Sequence, residues 1–153
     1  MKFGGTSVAN GKKIRHVAKI ISDNNSNDCK VVAVVSALEG ITNQLIQAAE
    51  EAKKGNREYI LNFKSNLLEK HLTAAKKAIN NSKIENDTEQ VLRERINELE
   101  QILTGIIYIG ELTSKSRDTV IAFGEKLSAP IISGALKNIG LESEYLTAFV
   151  KRF

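Results

Sequence analysis

The reading of this chain turns on residues 1–36, MKFGGTSVANGKKIRHVAKIISDNNSNDCKVVAVVS. The closing run KVVAVVS (30–36) is short, continuous and β-branched, which reads as a strand buried on both faces. Before it, Ile14, Val17, Ala18 and Ile21 recur at the i, i+3, i+4, i+7 spacing of one helix face, and the polar SDNNSND (22–28) ends that helix. Residues 1–3 supply a short first strand, and Gly4 and Gly5 turn the chain toward the helix. Strand, glycine turn, helix and strand are the start of a parallel βαβ unit.

Outward from that unit the sequence turns helical. ALEGITN leads into a helix near 41–53, stopped by Lys54, Gly55 and Asn56. Two longer helices are expected at 57–80 and 87–109, with NNSKIEND (80–87) as their turn. In the second, Leu92, Ile96, Leu99, Leu103 and Ile106 alternate in steps of four and three, the seam of an antiparallel hairpin or short coiled coil. GELTSKSRD (110–118) breaks the pattern, and a single helix is expected from about 115 to 138, with Gly140 as its stop. ESEYLTAF (142–149) alternates enough for a third strand. The fold class expected is α/β: a parallel-type sheet of few strands with helices packed on it and a long helical hairpin at 57–109.

Composition narrows the possible functions. The 153 residues suffice for one core, and a net charge of +4 is spread among interspersed acids and bases with no basic stripe that would bind nucleic acid. Cys29 is the only cysteine, which rules out a disulfide framework and leaves it a structural reading. No apolar run approaches a membrane span and no signal peptide is evident, so the expected location is cytoplasmic with no membrane partner. His16 and His71 have no second ligand at i+3 or i+4, so no metal site is expected from the chain.

In an open parallel sheet, ligands bind beyond the carboxyl ends of the strands, so KFGGTS (2–7) and SALEGITN (36–43) should face one crevice. Helix N-termini there offer N–H groups to an anion, Lys2 adds a full charge, and Gly4 and Gly5 admit close approach. The spacing is neither GxxxxGK[ST] nor GxGxxG. A plain turn with a solvated Lys2 fits the same residues. Ser36, Thr42 and Asn43 suit either helix capping or ligand binding. Glu125, in FGEKLSAP (123–130), suits either an ammonium ligand or a surface pair with Lys126 or Lys115.

Taken together, KFGGTSVAN, VVAVVSALEGITNQL and GELTSKSRDTVIAFGEKLSAPIISGAL resemble, in order and spacing, the signature segments of the aspartate kinases of the amino acid kinase family. The resemblance implies that Lys2 contacts nucleotide phosphates in a catalytic role, with the backbone of Gly4, Gly5 and Thr6 lining that pocket and Ser7 at its edge. It implies that Ser36 and Thr42 seat aspartate and that Glu125 binds its α-ammonium group. The implied reaction is in-line attack of the aspartate β-carboxylate on the γ-phosphorus of MgATP, which makes ATP and Mg²⁺ the expected cofactors and a homo-oligomer the expected state.

By the same resemblance, residues 1–153 correspond to the amino-terminal lobe of the catalytic domain, without the family's Gly-rich nucleotide segment and regulatory ACT domains. Weak aspartate binding without turnover is the corresponding expectation. Two alternatives stand beside this one: another member of the amino acid kinase family, and a non-catalytic, self-associating or partner-binding module built on the hairpin.

Overall fold

A computed structural model describes residues 1–26 and 29–146. Strand β1 (Lys2–Phe3) lies parallel to β2 (Val34–Val35), with Lys2 opposite Val34 and Phe3 opposite Val35. Between them runs α1 (Gly11–Asn24), capped by Asn10, whose Oδ1 accepts the Lys13 N–H at 3.1 Å. Its face of Ile14, Val17, Ala18 and Ile21 is buried, as the spacing requires. The βαβ opening is therefore present.

One expectation about it is corrected. Val31, Ala33 and Val35 pack against the core, but Val32 and Val34 are 78% and 59% exposed. Among the described residues helix cover reaches KVVAVVS from one side, so its β-branched run is half-buried and does not have two covered faces.

The helices that follow are α2 (Ile41–Lys53), α3 (Arg57–Ala78), α4 (Ser82–Ile109), α5 (Ser114–Ile121) and α6 (Phe123–Asn138). The chain is thus mostly helical around a two-stranded parallel sheet, a narrower α/β pattern than expected. α3 and α4 form the antiparallel hairpin, its seam residues Leu92, Ile96, Leu99, Leu103 and Ile106 all buried. Its turn is tighter than NNSKIEND suggests, because Asn81 Oδ1 accepts the N–H groups of Lys83 and Ile84 and starts α4 at Ser82. Asn138 Oδ1 accepts the N–H groups of Asn80 and Asn81, both at 2.9 Å, and ties this turn to the end of α6.

The single helix expected at 115–138 is two helices meeting at Ala122. α5 packs on α2 and α4, whereas α6 runs against α1, α3 and α4, and the change of partners needs a change of direction. α6 is the central element: Phe123, Leu127 and Ile131 are fully buried, each contributing roughly 2 kcal/mol by removal from water. The expected strand at 142–149 is absent from residues 142–146, which pair with no other strand; Ser143 Oγ instead donates to the Ser133 carbonyl at 3.1 Å. Residues 147–149 lie outside the described residues.

Two core features set stability. Gly11 lets α1 cross α3 closely: a Cβ there would stand 2.4 Å from the Ala74 carbonyl oxygen and 2.6 Å from Lys77 Cβ. Gly11→Ala is expected to cost about 1–3 kcal/mol through forced separation of the helices, read as a thermal midpoint several degrees lower. His71, fully buried in α3, holds its Nδ1 2.7 Å from the Leu67 carbonyl, so Nδ1 carries the proton and Nε2 is left without a partner.

Burial is the main cause that pushes the His71 pKa down, to about 4. The unfolded chain therefore binds the proton first. Stability is full above pH 6.5 or so and falls between there and about pH 4, with a slope of at most roughly 1 kcal/mol per pH unit from this residue. Denaturant unfolding across that window should show the slope, and His71→Leu should remove His71's share of it.

Candidate active site

The three motif segments meet at one residue that none of them advertises, Ala37. It lies just past β2, and the Ser36 N–H between them extends the parallel ladder by donating to the Phe3 carbonyl at 3.1 Å. The Ala37 N–H donates to Glu125 Oε1 at 3.4 Å. Ser128, fully buried one turn later on α6, donates its hydroxyl to the Ser36 carbonyl at 2.8 Å. A Cβ on Gly124 would lie 2.6 Å from the Ala37 Cβ, and one on Gly5 would lie 3.1 Å from the Ala37 carbonyl oxygen. Gly5, Ser36 and Glu125, separated widely in sequence, therefore share one junction at the carboxyl ends of the parallel strands.

The glycine pair has two separate roles. Neither Gly4 nor Gly5 has a positive φ, so the pair is not required by a left-handed turn. Gly5 is packed against Ala37, while a Cβ on Gly4 would meet nothing within 4 Å. Gly4 thus presents bare backbone to an open side. The loop closes through Ser7 N–H to the Gly4 carbonyl at 2.9 Å and Val8 N–H to the Gly5 carbonyl at 3.3 Å, which commits the Ser7 amide and leaves its exposed hydroxyl at the edge.

The capping alternative for SALEGITN does not hold. Gly40, at φ 77°, is the N-cap of α2, and no side chain caps that helix. Thr42 and Asn43 are exposed in its first turn, beside N–H groups that carry the positive end of the helix dipole. α6 likewise begins without a side-chain cap and carries Glu125 in its first turn. Lys2 is exposed on β1, opposite the exposed Val34. Among the described residues, no hydrogen bond joins the Lys2 or Thr42 side chain to the Ala37 junction.

Two lysines with no motif signal hold the loops. Lys13 Nζ, on α1, donates to the Thr6 carbonyl at 2.8 Å, and Lys70 Nζ, on α3, donates to the Glu39 carbonyl at 2.7 Å. Both ammonium groups add positive charge beside the two loops. Gly124 did carry a readable signal, since a glycine inside a helical pattern often marks a close backbone approach. Two surface grooves of about 470 and 360 Å³ lie along α3, and neither is lined by a residue of the Ala37 junction.

No group of three His, Cys, Asp or Glu side chains among the described residues could hold a metal ion. Nor is any described helix long and apolar enough to cross a membrane.

This arrangement of a glycine loop and a carboxylate-bearing helix around a parallel βαβ unit has counterparts. Residues 1–153 match the amino acid kinase family, and the chain belongs to it. Among curated proteins it is 35% identical to Aspartokinase 3, chloroplastic, of Arabidopsis thaliana, over 97% of this chain and 25% of that protein. It is 31% identical to the aspartokinase of Schizosaccharomyces pombe, over 95% of this chain and 29% of that protein. The chain thus spans about a quarter of the length of such relatives. Its fold matches that of E. coli aspartokinase III in complex with aspartate and ADP, with a TM-score of 0.78 at 19% identity, covering 95% of this chain and 30% of that one.

The Ala37 junction yields its own prediction. Gly124→Ala should push α6 from the β2–α2 loop, costing about 1–3 kcal/mol. In a ¹⁵N–¹H spectrum the Ser36 and Ala37 amides should shift most, while resonances of the α3–α4 turn stay in place.

Proposed function

We propose that this chain forms the aspartate-facing and phosphate-facing side of an aspartokinase, the enzyme that transfers the γ-phosphoryl group of MgATP to L-aspartate. The observation that carries this reading is the convergence of Gly5, Ser36 and Glu125 on Ala37, supported by aspartokinase relatives across nearly the whole chain. An aspartate β-carboxylate oxygen would attack the γ-phosphorus as the bond to the bridging oxygen breaks, giving 4-phospho-L-aspartate and ADP. A carboxylate is a nucleophile at neutral pH and needs no general base, so positioning and charge neutralisation carry the catalysis.

In this reading Lys2 neutralises the phosphates, while the Gly4, Gly5 and Thr6 backbone and Ser7 line their path. Ser36 and Thr42 seat the substrate, and Glu125 pairs with its α-ammonium group. Mg²⁺ would arrive with the nucleotide, carried by its phosphates. The residues that complete the nucleotide site would come from the part of the kinase that this chain does not span. The product would enter amino-acid biosynthesis, including the lysine and threonine branches.

A homo-oligomer is part of the proposal, and exposed Leu61, Tyr108 and Ile109 on the hairpin helices supply apolar surface for one. The cytoplasmic location stands as a proposal beside relatives that are chloroplastic. The comparisons do not favour a hairpin module without catalysis.

Ligand discrimination tests the assignment. Calorimetric titration should show L-aspartate bound more tightly than succinate, which lacks the ammonium group. Glu125→Gln should erase that preference, a loss of roughly tenfold or more for a charge-assisted hydrogen bond. Lys2→Ala should weaken binding of MgATP while leaving the aspartate preference and the fold unchanged. Equal binding of aspartate and succinate by the parent chain would refute the role of Glu125.

A further inference from the structure

We infer that Glu98 and Lys126 form a positioning pair for Glu125, holding the first turn of α6 at the rotation that aims the Glu125 carboxylate at the Ala37 N–H; the inference rests on the proposed ammonium-binding role of Glu125. Lys126 Nζ reaches Glu98 Oε1 on α4 at 3.4 Å and lies 4.2 Å above the ring of buried Phe123. The Lys126 side chain is only 11% exposed. On its outer side Glu98 is held by Arg95, whose Nη1 donates to Oε2 at 3.0 Å.

The need for such a pair follows from how α6 begins. Ala122 provides no side-chain cap, so the rotation of the first turn rests on tertiary contacts: buried Phe123 in the core, the Ser128 hydroxyl on the Ser36 carbonyl one turn on, and the Lys126–Glu98 pair. Consecutive residues of a helix point about 100° apart, so when Lys126 is drawn to α4, Glu125 is turned to the β2–α2 loop. The carboxylate sits roughly 6 Å from the helix axis, so a rotation of about 20° would carry it roughly 2 Å. Its hydrogen bond to Ala37, already 3.4 Å long, would not survive that movement.

Gly124 allows contact with Ala37 but does not enforce it, since a glycine exerts no pull. The Ser128 hydroxyl anchors the next turn to the Ser36 carbonyl, and the Lys126–Glu98 pair pulls on the first turn from the far side of the helix. Exposed ion pairs contribute little, but an ammonium this enclosed interacts more strongly and is costly to leave without its partner. The hairpin thereby acts on the site through one ion pair, although its helices supply none of the proposed ligands.

The test uses ¹⁵N–¹H spectra and aspartate titrations of the full chain. Glu125→Ala, which removes the acceptor, defines where the Ala37 amide resonance lies without its hydrogen bond. Glu98→Gln and Lys126→Met should each move that resonance toward the same position and weaken aspartate binding roughly tenfold, as loss of an orienting partner does. The conservative change Lys126→Arg, which keeps a cation over Phe123 and facing Glu98 while Arg95 stays paired, should leave both near parental values. If the single variants leave the resonance and the affinity at parental values, the positioning role is overturned. Should they fail to fold, Lys126→Arg decides: parental values support the role, and a displaced resonance with lost affinity overturns it. A Glu125→Gln change that leaves aspartate affinity intact overturns the ammonium-binding role alone, because the Ala37 resonance still reports on the pair.

Discussion

The proposed site depends on how closely three backbones approach one another at Ala37. The loop after β1, the end of β2 and the first turn of α6 meet this closely because Gly124 carries no Cβ, and a Cβ on Gly5 would crowd the Ala37 carbonyl. The buried Ser128 hydroxyl then joins α6 to the Ser36 carbonyl, satisfying a polar group that the same closeness would otherwise strand. An acidic side chain on α6 consequently faces the Ala37 amide just past the end of β2, near the start of α2.

The charges serve two purposes that should be kept apart. Lys13 and Lys70 spend hydrogen bonds on the carbonyls of Thr6 and Glu39, so they shape the loops as well as raise the local potential. Among the described residues Lys2 has no such bond and stands exposed on β1, where the proposed function has it meet the phosphates. Lys126 belongs to neither group: it is enclosed by Glu98 and Phe123 and acts on the packing of α6. Four lysines thus have three physical roles, a difference that net charge does not reveal.

Much of the helical framework was legible because it rests on local periodicity. The α1 face, the limits of α2 and the seam of α4 follow from apolar spacing and from breakers such as Gly55. Errors arose where a distant partner decides. KVVAVVS has the composition of a strand covered on both sides, yet its cover depends on which helices reach it. The break at Ala122 reflects a change of packing partners, to which helix propensity is blind. The alternation in ESEYLTAF is genuine in 142–146, where Ser143 and Tyr145 are half-buried and Glu142, Glu144 and Leu146 exposed, but a strand also needs a neighbour to bond with.

By itself the sequence determined the parallel βαβ opening, the helical hairpin and the three segments that mark this family, since each is written in short-range spacing or in contiguous residues. It could not assign Thr42 and Asn43 to a free helix end or divide the work of Gly4 and Gly5, because those assignments require knowing what lies across the gap. The junction at Ala37 and the tether of Lys126 to Glu98 were decided only by tertiary structure. Glu125 stands 88 residues from Ala37, and Lys126 stands 28 from Glu98, so the contacts that aim the carboxylate exist only once α4, α6 and β2 have packed together.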